Sequence, residues 1–262
     1  MILFFLLGLA IGSFLNVLVR RGYRDQTLKG RSRCETCQHT LRWPELIPIL
    51  SYLVQKRRCL HCRTVFSYQY PLVELGTGLL FASAFYFFEP SVYDLESVFI
   101  LFTVLLGLSA AMTILVSDLL YTIIPDGAVL IIFILGVVRI ITGVYSGEGG
   151  GYGADILAAA GIASFLALLW IVSRGRWIGF GDIKLFLAAA LVLGFPSSLA
   201  AFLFSFWLGG GFGVALLIFS RSNLTRAIPF GPFILAGSFL AYFYADIFWS
   251  ITGLNLLPLL FK

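Results

Sequence analysis

Two aspartates and four cysteines are the residues of this chain whose types and spacing can do chemistry. Asp118 stands in "LVSDLLYTIIPDGAVL", where an apolar stretch runs into a Pro-Asp turn, and Asp182 follows the glycines of "GFGDIKL". Each alone reads equally well as a helix-end acid. As a pair they have a defined chemistry. Two neighbouring carboxylates do not both ionise readily, so one keeps a proton while the other acts as a base. The ionised member takes a proton from water, and the protonated member donates to the scissile carbonyl oxygen. That is peptide hydrolysis without a covalent intermediate. Gly179 and Gly181, lacking side chains, leave room beside Asp182 for a substrate backbone. Other protease schemes lack their residues: there are two histidines, neither in a His-Glu-x-x-His helix, and no Gly-x-Ser-x-Gly.

The cysteines form two Cys-x-x-Cys pairs, "CETC" (Cys34, Cys37) and "CLHC" (Cys59, Cys62), with 21 residues between them. Two such knuckles suit one tetrahedral zinc ion. Two disulfides are the alternative, and a redox pair a third, although nothing around either motif reads as a βαβ unit. Four thiolates would fill the coordination shell, so such a zinc holds the loop together and activates no water. It would also stabilise a segment of about 50 residues that could bury little surface by itself. His39 and His61 become ligands only if a cysteine fails.

The elements that must position these groups are membrane helices. The chain has 262 residues, 60% of them apolar and only 12% charged, against about 25% charged in a soluble domain. About eight spans are expected, near 2–19, 71–88, 97–117, 123–143, 154–173, 183–195, 198–219 and 229–252, the sixth being short. The first lacks a basic n-region and a small-x-small cleavage site, so it reads as a retained anchor. The expected fold is an all-α polytopic membrane protein with a small cytoplasmic zinc-binding loop domain. Its parts are a first helix (1–19), the four-cysteine domain (20–70) and a membrane catalytic domain (71–262). The net charge of +5 is no nucleic-acid signal, because 11 of the 18 Lys and Arg fall between Arg20 and Arg63. By the positive-inside rule that loop is cytoplasmic and the N-terminus outside. Eight spans then make the loops at 89–96 and 144–153 external, and both lack Lys and Arg. The loops with Arg174, Arg176, Arg221 and Arg226 become cytoplasmic. Asp118 and Asp182 share the cytoplasmic side.

The remaining ionisable residues divide by position. Asp246, in "YFYADIFW", reads as interfacial and Asp155 as a first-turn acid favourable to its helix dipole. Arg139 lies where it can snorkel. Glu74, four residues into the second span, is either functional or paired with an arginine. Lys184 orients Asp182 or marks the interface.

With these residues in view, the chain resembles the bacterial type IV prepilin peptidases, a group of Gly-x-Gly-Asp intramembrane aspartyl proteases. The resemblance rests on "GSFLNVLVRR" at 12–21, both cysteine pairs, "LIPILSYL" at 46–53 and "YPLVELGTG" at 70–78. It continues through Asp118 with Pro125-Asp126, "GFGDIKL" at 179–185 and "PFGPFILAG" at 229–237. Glu35 stands where a proline is common in the family, and "QKRRC" lacks the usual glycine, while the zinc ligands are intact. The resemblance implies that Asp118 and Asp182 are the catalytic pair. It implies cleavage of the basic leader of prepilins or pseudopilins at the cytoplasmic face of the bacterial inner membrane. It further implies N-methylation of the new terminus with S-adenosylmethionine, with Glu74 a possible methyltransferase residue. The protein partners would be those substrates and the lipid bilayer, with no nucleic acid. Competing readings are a peptidase whose zinc domain is only structural, and a non-enzymatic transporter or assembly scaffold whose intramembrane acids carry protons. Metal analysis of the purified chain is expected to find one zinc per molecule, lost when Cys34 and Cys59 are replaced together.

Overall fold

The computed structural model describes residues 1–23, 30–88, 94–146, 152–219 and 228–253. Within them the chain is helical: α1 Ile2–Tyr23, α2 Leu50–Val54, α3 Gln69–Phe88, α4 Leu95–Tyr121, α5 Asp126–Ser146, α6 Tyr152–Ser173, α7 Phe180–Leu193, α8 Ser197–Phe219 and α9 Gly231–Ile251. A single 3₁₀ turn, Trp43–Leu46, precedes α2. Eight of these helices fall on the expected spans, and seven are long and apolar enough to cross a membrane. The exception is α7. Its 14 residues reach roughly 21 Å at about 1.5 Å per residue, short of a hydrocarbon core of about 30 Å. The expected loop segments 89–93 and 147–151, and Arg221 and Arg226, lie outside the described residues.

Helix ends follow local chemistry. Before α4, the Asp94 carboxylate accepts the Glu96 and Ser97 amides and the Ser97 hydroxyl. The Ser97 hydroxyl, then the two amides, hold Asp94 below the ordinary aspartate range, as expected of a capping acid. At α5 the start falls just after Pro125, whose carbonyl accepts the Ala128 amide. α1 continues through Arg20 and Arg21 to Tyr23, because a helix turns polar without breaking where its backbone bonds persist.

The chain forms two compact units, Met1–Val116 and Ser117–Lys262. In the first, α1 packs along α3. Gly8 and Gly12, one turn apart, make that approach possible. A Cβ on Gly8 would lie 2.6 Å from the Thr77 carbonyl oxygen, and one on Gly12 would lie 2.8 Å from the Glu74 Cα. Small residues at this spacing are how membrane helices come close, since lipid leaves little hydrophobic drive between them.

In the second unit α7 touches α5, α6, α8 and α9. Eight of its fourteen residues are buried, including Leu185, Phe186 and Ala188–Ala190. A helix apolar on every side and enclosed by neighbours has no need of membrane-spanning length. Its far end is held by a polar clamp. Arg139 on α5 pairs with Asp155 on α6 and donates from Nε to the Leu191 carbonyl at 3.1 Å. Asp155 also accepts the Phe195 amide at 2.7 Å. Asp155 is thus the first-turn acid expected, with two further partners. The Arg139 side chain keeps part of its surface open while a carboxylate and the Leu191 carbonyl at the end of α7 meet its guanidinium. Asp246 is exposed on α9.

Along α8 and α9 the seam is Ala200, Ala201, Ala241, Ala245 and Trp249. Phe230, just before α9, meets Phe186 of α7 at a tilt and Phe206 of α8 edge to face, at centroid separations of 6.3 and 5.2 Å. This cluster fixes the start of α9 against α7.

Gly12→Ala is expected to lower the thermal midpoint in detergent by an amount corresponding to about 1–3 kcal/mol, the usual cost of forcing a methyl into a packed contact. Gly127→Ala, where an added Cβ meets nothing within 4 Å, should leave the midpoint nearly unchanged.

Candidate functional site

Asp118 and Asp182 both lie in the second unit, and both are nearly closed to solvent, at 4% and 9% exposure. A carboxylate buried among apolar helices must find donors. Each of these finds a backbone amide at a helix start. Asp182, third residue of α7, accepts the Gly179 N–H at 3.0 Å, the half of a capping box that a side chain at this position supplies. Asp118, near the end of α4, accepts the N–H of Gly231, the first residue of α9, at 2.8 Å. Helix N-termini carry unsatisfied amides and the positive end of the dipole, so both sites favour anionic oxygen. The helix that carries Asp182 packs against α9, whose first amide holds Asp118. Both sequence-predicted aspartates therefore belong to one packed group of helices.

The glycines have separate parts. Gly179 is exposed, and a Cβ there would come within 3.1 Å of the Asp182 carboxylate; Gly181 lies with its Cα hydrogens against Ile124, 3.1 Å from where a Cβ would sit. Both thus have an intramolecular reason to be glycine, and Gly179 keeps an open side. Lys184 pairs with Asp126 in the first turn of α5, and not with Asp182. The reason is register: two residues beyond Asp182 on a helix, Lys184 points about 200° away.

Gly231 is the residue that sequence reasoning passed over. A Cβ on it would fall 2.7 Å from the Asp118 carboxylate oxygen. The available signal was "FGP", a glycine followed by proline at a helix start, which is a place where amides point outward.

In the first unit the four cysteines converge. Their sulfurs all lie within 4.8 Å of one another, with Cys34 and Cys62 3.7 Å apart. Tetrahedral zinc with Zn–S of about 2.3 Å separates its sulfurs by about 3.8 Å, so the set can hold zinc. The histidines are not in the cluster; their rings meet edge to face at 4.6 Å. The two knuckles are one structure repeated 25 positions on. The Gln38 and Arg63 amides donate to the Cys34 and Cys59 carbonyls, and the Cys34 and Cys59 amides donate to the His39 and Thr64 carbonyls. Gln38 and Arg63 both take positive φ, 58° and 57°, the turn that brings the second sulfur of each pair round to the first. The Thr64 hydroxyl, 3.2 Å from the sulfur, and then the Thr64 amide draw the Cys62 thiol down to about 6. Cys37, although the His39 amide favours its thiolate, is pushed up to about 11 by desolvation and the other three sulfurs. Four sulfurs this close do not all ionise without a cation among them.

Glu74 on α3 is buried at 7% exposure. Of the two readings left open for it, pairing with an arginine is not what the described residues display: its carboxylate accepts the Ile49 amide at 2.7 Å.

Two family models match the chain in succession. Residues 6–88 match the Bacterial Peptidase A24 N-terminal domain, and residues 105–214 match the Type IV leader peptidase family. A prepilin leader peptidase/N-methyltransferase of Bacillus subtilis is 37% identical over 92% of this chain and 93% of its own length. Proteins of the same name from Burkholderia pseudomallei and Aeromonas salmonicida are 32% and 29% identical, over 94% and 93% of this chain and 86% and 90% of theirs. No solved structure matches the chain. Identity at that level, sustained across the cysteine-bearing unit and the unit with the two aspartates, makes this chain a member of the prepilin leader peptidase/N-methyltransferase family.

Proposed function

We propose that the chain is a membrane aspartic endopeptidase that removes the basic leader of type IV prepilins or pseudopilins and then N-methylates the exposed amino terminus. The observation that supports the peptidase reading is the burial of Asp118 and Asp182 on amides of two helix starts within one unit. In the working state one carboxyl keeps its proton and the other is ionised. The ionised oxygen accepts a proton from water as that water attacks the scissile carbonyl carbon. The protonated carboxyl donates to the carbonyl oxygen, and collapse of the gem-diol sends a proton to the leaving amine. The Gly179 and Gly231 amides hold the carboxylates still while this happens. Gly179, open on one side, offers a place for an extended substrate backbone.

Orientation follows from charge. With the basic segment Arg20–Arg63 in the cytoplasm, the N-terminus is outside and both aspartates lie at the cytoplasmic face of the inner membrane. A basic leader followed by an apolar helix would present its junction at that same depth. Zinc in the four-cysteine cluster is structural, for its shell is full. The methyl donor is S-adenosylmethionine, which supplies an electrophilic methyl group to the new amine. Glu74 is the residue we assign to this second activity.

Asp118→Asn and Asp182→Asn are each expected to lower leader cleavage by at least about 10³-fold, read from the gel shift of a purified prepilin. Full processing by either variant would remove the mechanism. Gly231→Ala, which drives a methyl against the Asp118 carboxylate, should cut the turnover rate far more than it changes the KM for prepilin. Labelled S-adenosylmethionine in the same assay tests the second activity: processed but unlabelled product would leave a peptidase only.

A further inference from the structure

Outside its spanning helices, the first unit leaves one apolar surface open. It lies on the 3₁₀ turn Trp43–Leu46 and on α2, which adjoin each other. Leu50, Leu53 and Val54 stand three and four residues apart, so they share one face of α2. They are 53%, 66% and 73% exposed, and Trp43 of the turn is 74% exposed. The other side of α2 is engaged: Tyr52 is half-buried, its ring 6.4 Å from that of Tyr68. A contiguous apolar face of this kind marks a surface that meets something.

One hydrogen bond sets the level at which that face lies. Ile49 is held at φ 60°, a conformation unfavourable for a β-branched residue. In that conformation its amide donates to the Glu74 carboxylate at 2.7 Å. Glu74 is five residues beyond the start of α3, roughly 7.5 Å along its axis at about 1.5 Å per residue. α3 has 20 residues, no more than a hydrocarbon core requires, so its first turns stand at the membrane boundary. The start of α2 is therefore fastened at the depth of the lipid headgroups.

Charge points the same way. From Arg42 to Arg58 there are four basic residues and one acid, and that acid, Glu45, accepts the Arg42 amide. α2 ends in a turn where Lys56 and Arg57 take positive φ, 49° and 63°. Arg57 lies 3.6 Å over the Tyr68 ring. Lys56 and Arg58 are exposed, and among the described residues neither pairs with a carboxylate. Leucines on one face, an indole beside them and cations at the edge are the composition of an interfacial membrane segment.

We infer that Trp43–Arg58 rests in the cytoplasmic surface of the bilayer, with Trp43, Leu50, Leu53 and Val54 among the headgroups and upper acyl chains and Lys56 and Arg58 on anionic phospholipid. The cysteine-bearing domain thus has a third hold on the membrane besides α1 and α3. A prepilin leader is a poor occupant, because it is basic and so is this rim. The inference takes from the function proposed above only the cytoplasmic side of the loop, and neither chemical activity.

The test uses full-length zinc-loaded protein in nanodiscs containing phosphatidylglycerol. Tryptophan emission is compared between wild type and Trp43→Phe, so that the difference is the Trp43 signal. Lipid brominated at the headgroup end of its acyl chains should quench that signal at least about twofold, and more than lipid brominated near the chain ends. Aqueous acrylamide should quench it much less than it quenches free indole. Leu53→Trp in the Trp43→Phe chain moves the probe onto α2 and should behave in the same way. Leu53→Ser with Val54→Ser should raise acrylamide quenching of Trp43 about threefold, with zinc content unchanged as the control for folding. Lys56→Gln with Arg58→Gln, or discs of phosphatidylcholine alone, should raise it about twofold. Probes open to acrylamide and untouched by brominated lipid would overturn the inference. Probes shielded from both would also overturn it, since the cover is then protein, either the second unit or another copy. Lipid quenching indifferent to the charge variants and to phosphatidylglycerol would overturn the assignment to anionic lipid. A nanodisc has the same lipid on both faces, so none of these results depends on the orientation or on either activity.

Discussion

A carboxylate enclosed by apolar helices has no water to turn to, and the second unit is arranged around meeting that need. Asp182 takes an amide at the start of its own helix, and Asp118 takes one at the start of α9. Helix N-termini are among the few places in a membrane protein where backbone donors are free. The choice also suits catalysis. An amide donor holds a carboxylate in place without adding a second titrating group, which is compatible with the proton sharing proposed for the pair.

Everything else in this unit bears on where those helix starts lie. α7 is short, enclosed and pinned at both ends. Its start carries Asp182, and its far end is tied by Arg139 and Asp155. A cation against the carbonyl end of a helix is favourable, and the buried Asp155 makes that cation specific to one geometry. The aromatic contacts of Phe230 with Phe186 and Phe206 fix the start of α9, and with it the Gly231 amide. Small residues along the α8–α9 seam let the backbones approach. The placement of the two acids comes from packing, because among the described residues each is held by one backbone amide.

The first unit solves a different problem. About 40 residues between α1 and α3 have little apolar surface to bury, and its order comes from turns that repeat. Two knuckles with the same backbone bonds and the same positive-φ residue bring four sulfurs together. A metal held at that point would tie the two turns to each other. The strained Ile49 and the buried Glu74 then lie between this small domain and the α1–α3 pair, where the glycines of α1 have already brought the backbones close.

The sequence by itself determined the class of the protein, its helices to within a few residues, the cysteine quartet and the two acids for which a paired role is proposed. These properties are local or additive. Apolar runs, Cys-x-x-Cys spacing and the placement of Asp118 and Asp182 at the ends of such runs can be read without knowing what lies beside them. The exceptions are equally physical. Lys184 follows Asp182 by two positions, and adjacency in sequence suggested a partnership that helical rotation forbids; it meets Asp126 instead. Arg139 looked like a residue that reaches for water, and only the assembled bundle shows a carboxylate from α6 and a carbonyl from α7 within its reach. Gly231 stands 113 residues from Asp118. No period or propensity links them, because their contact is made by the crossing of helices that are distant in the chain. Composition decided that the acids would be buried, and tertiary structure decided which amides would hold them.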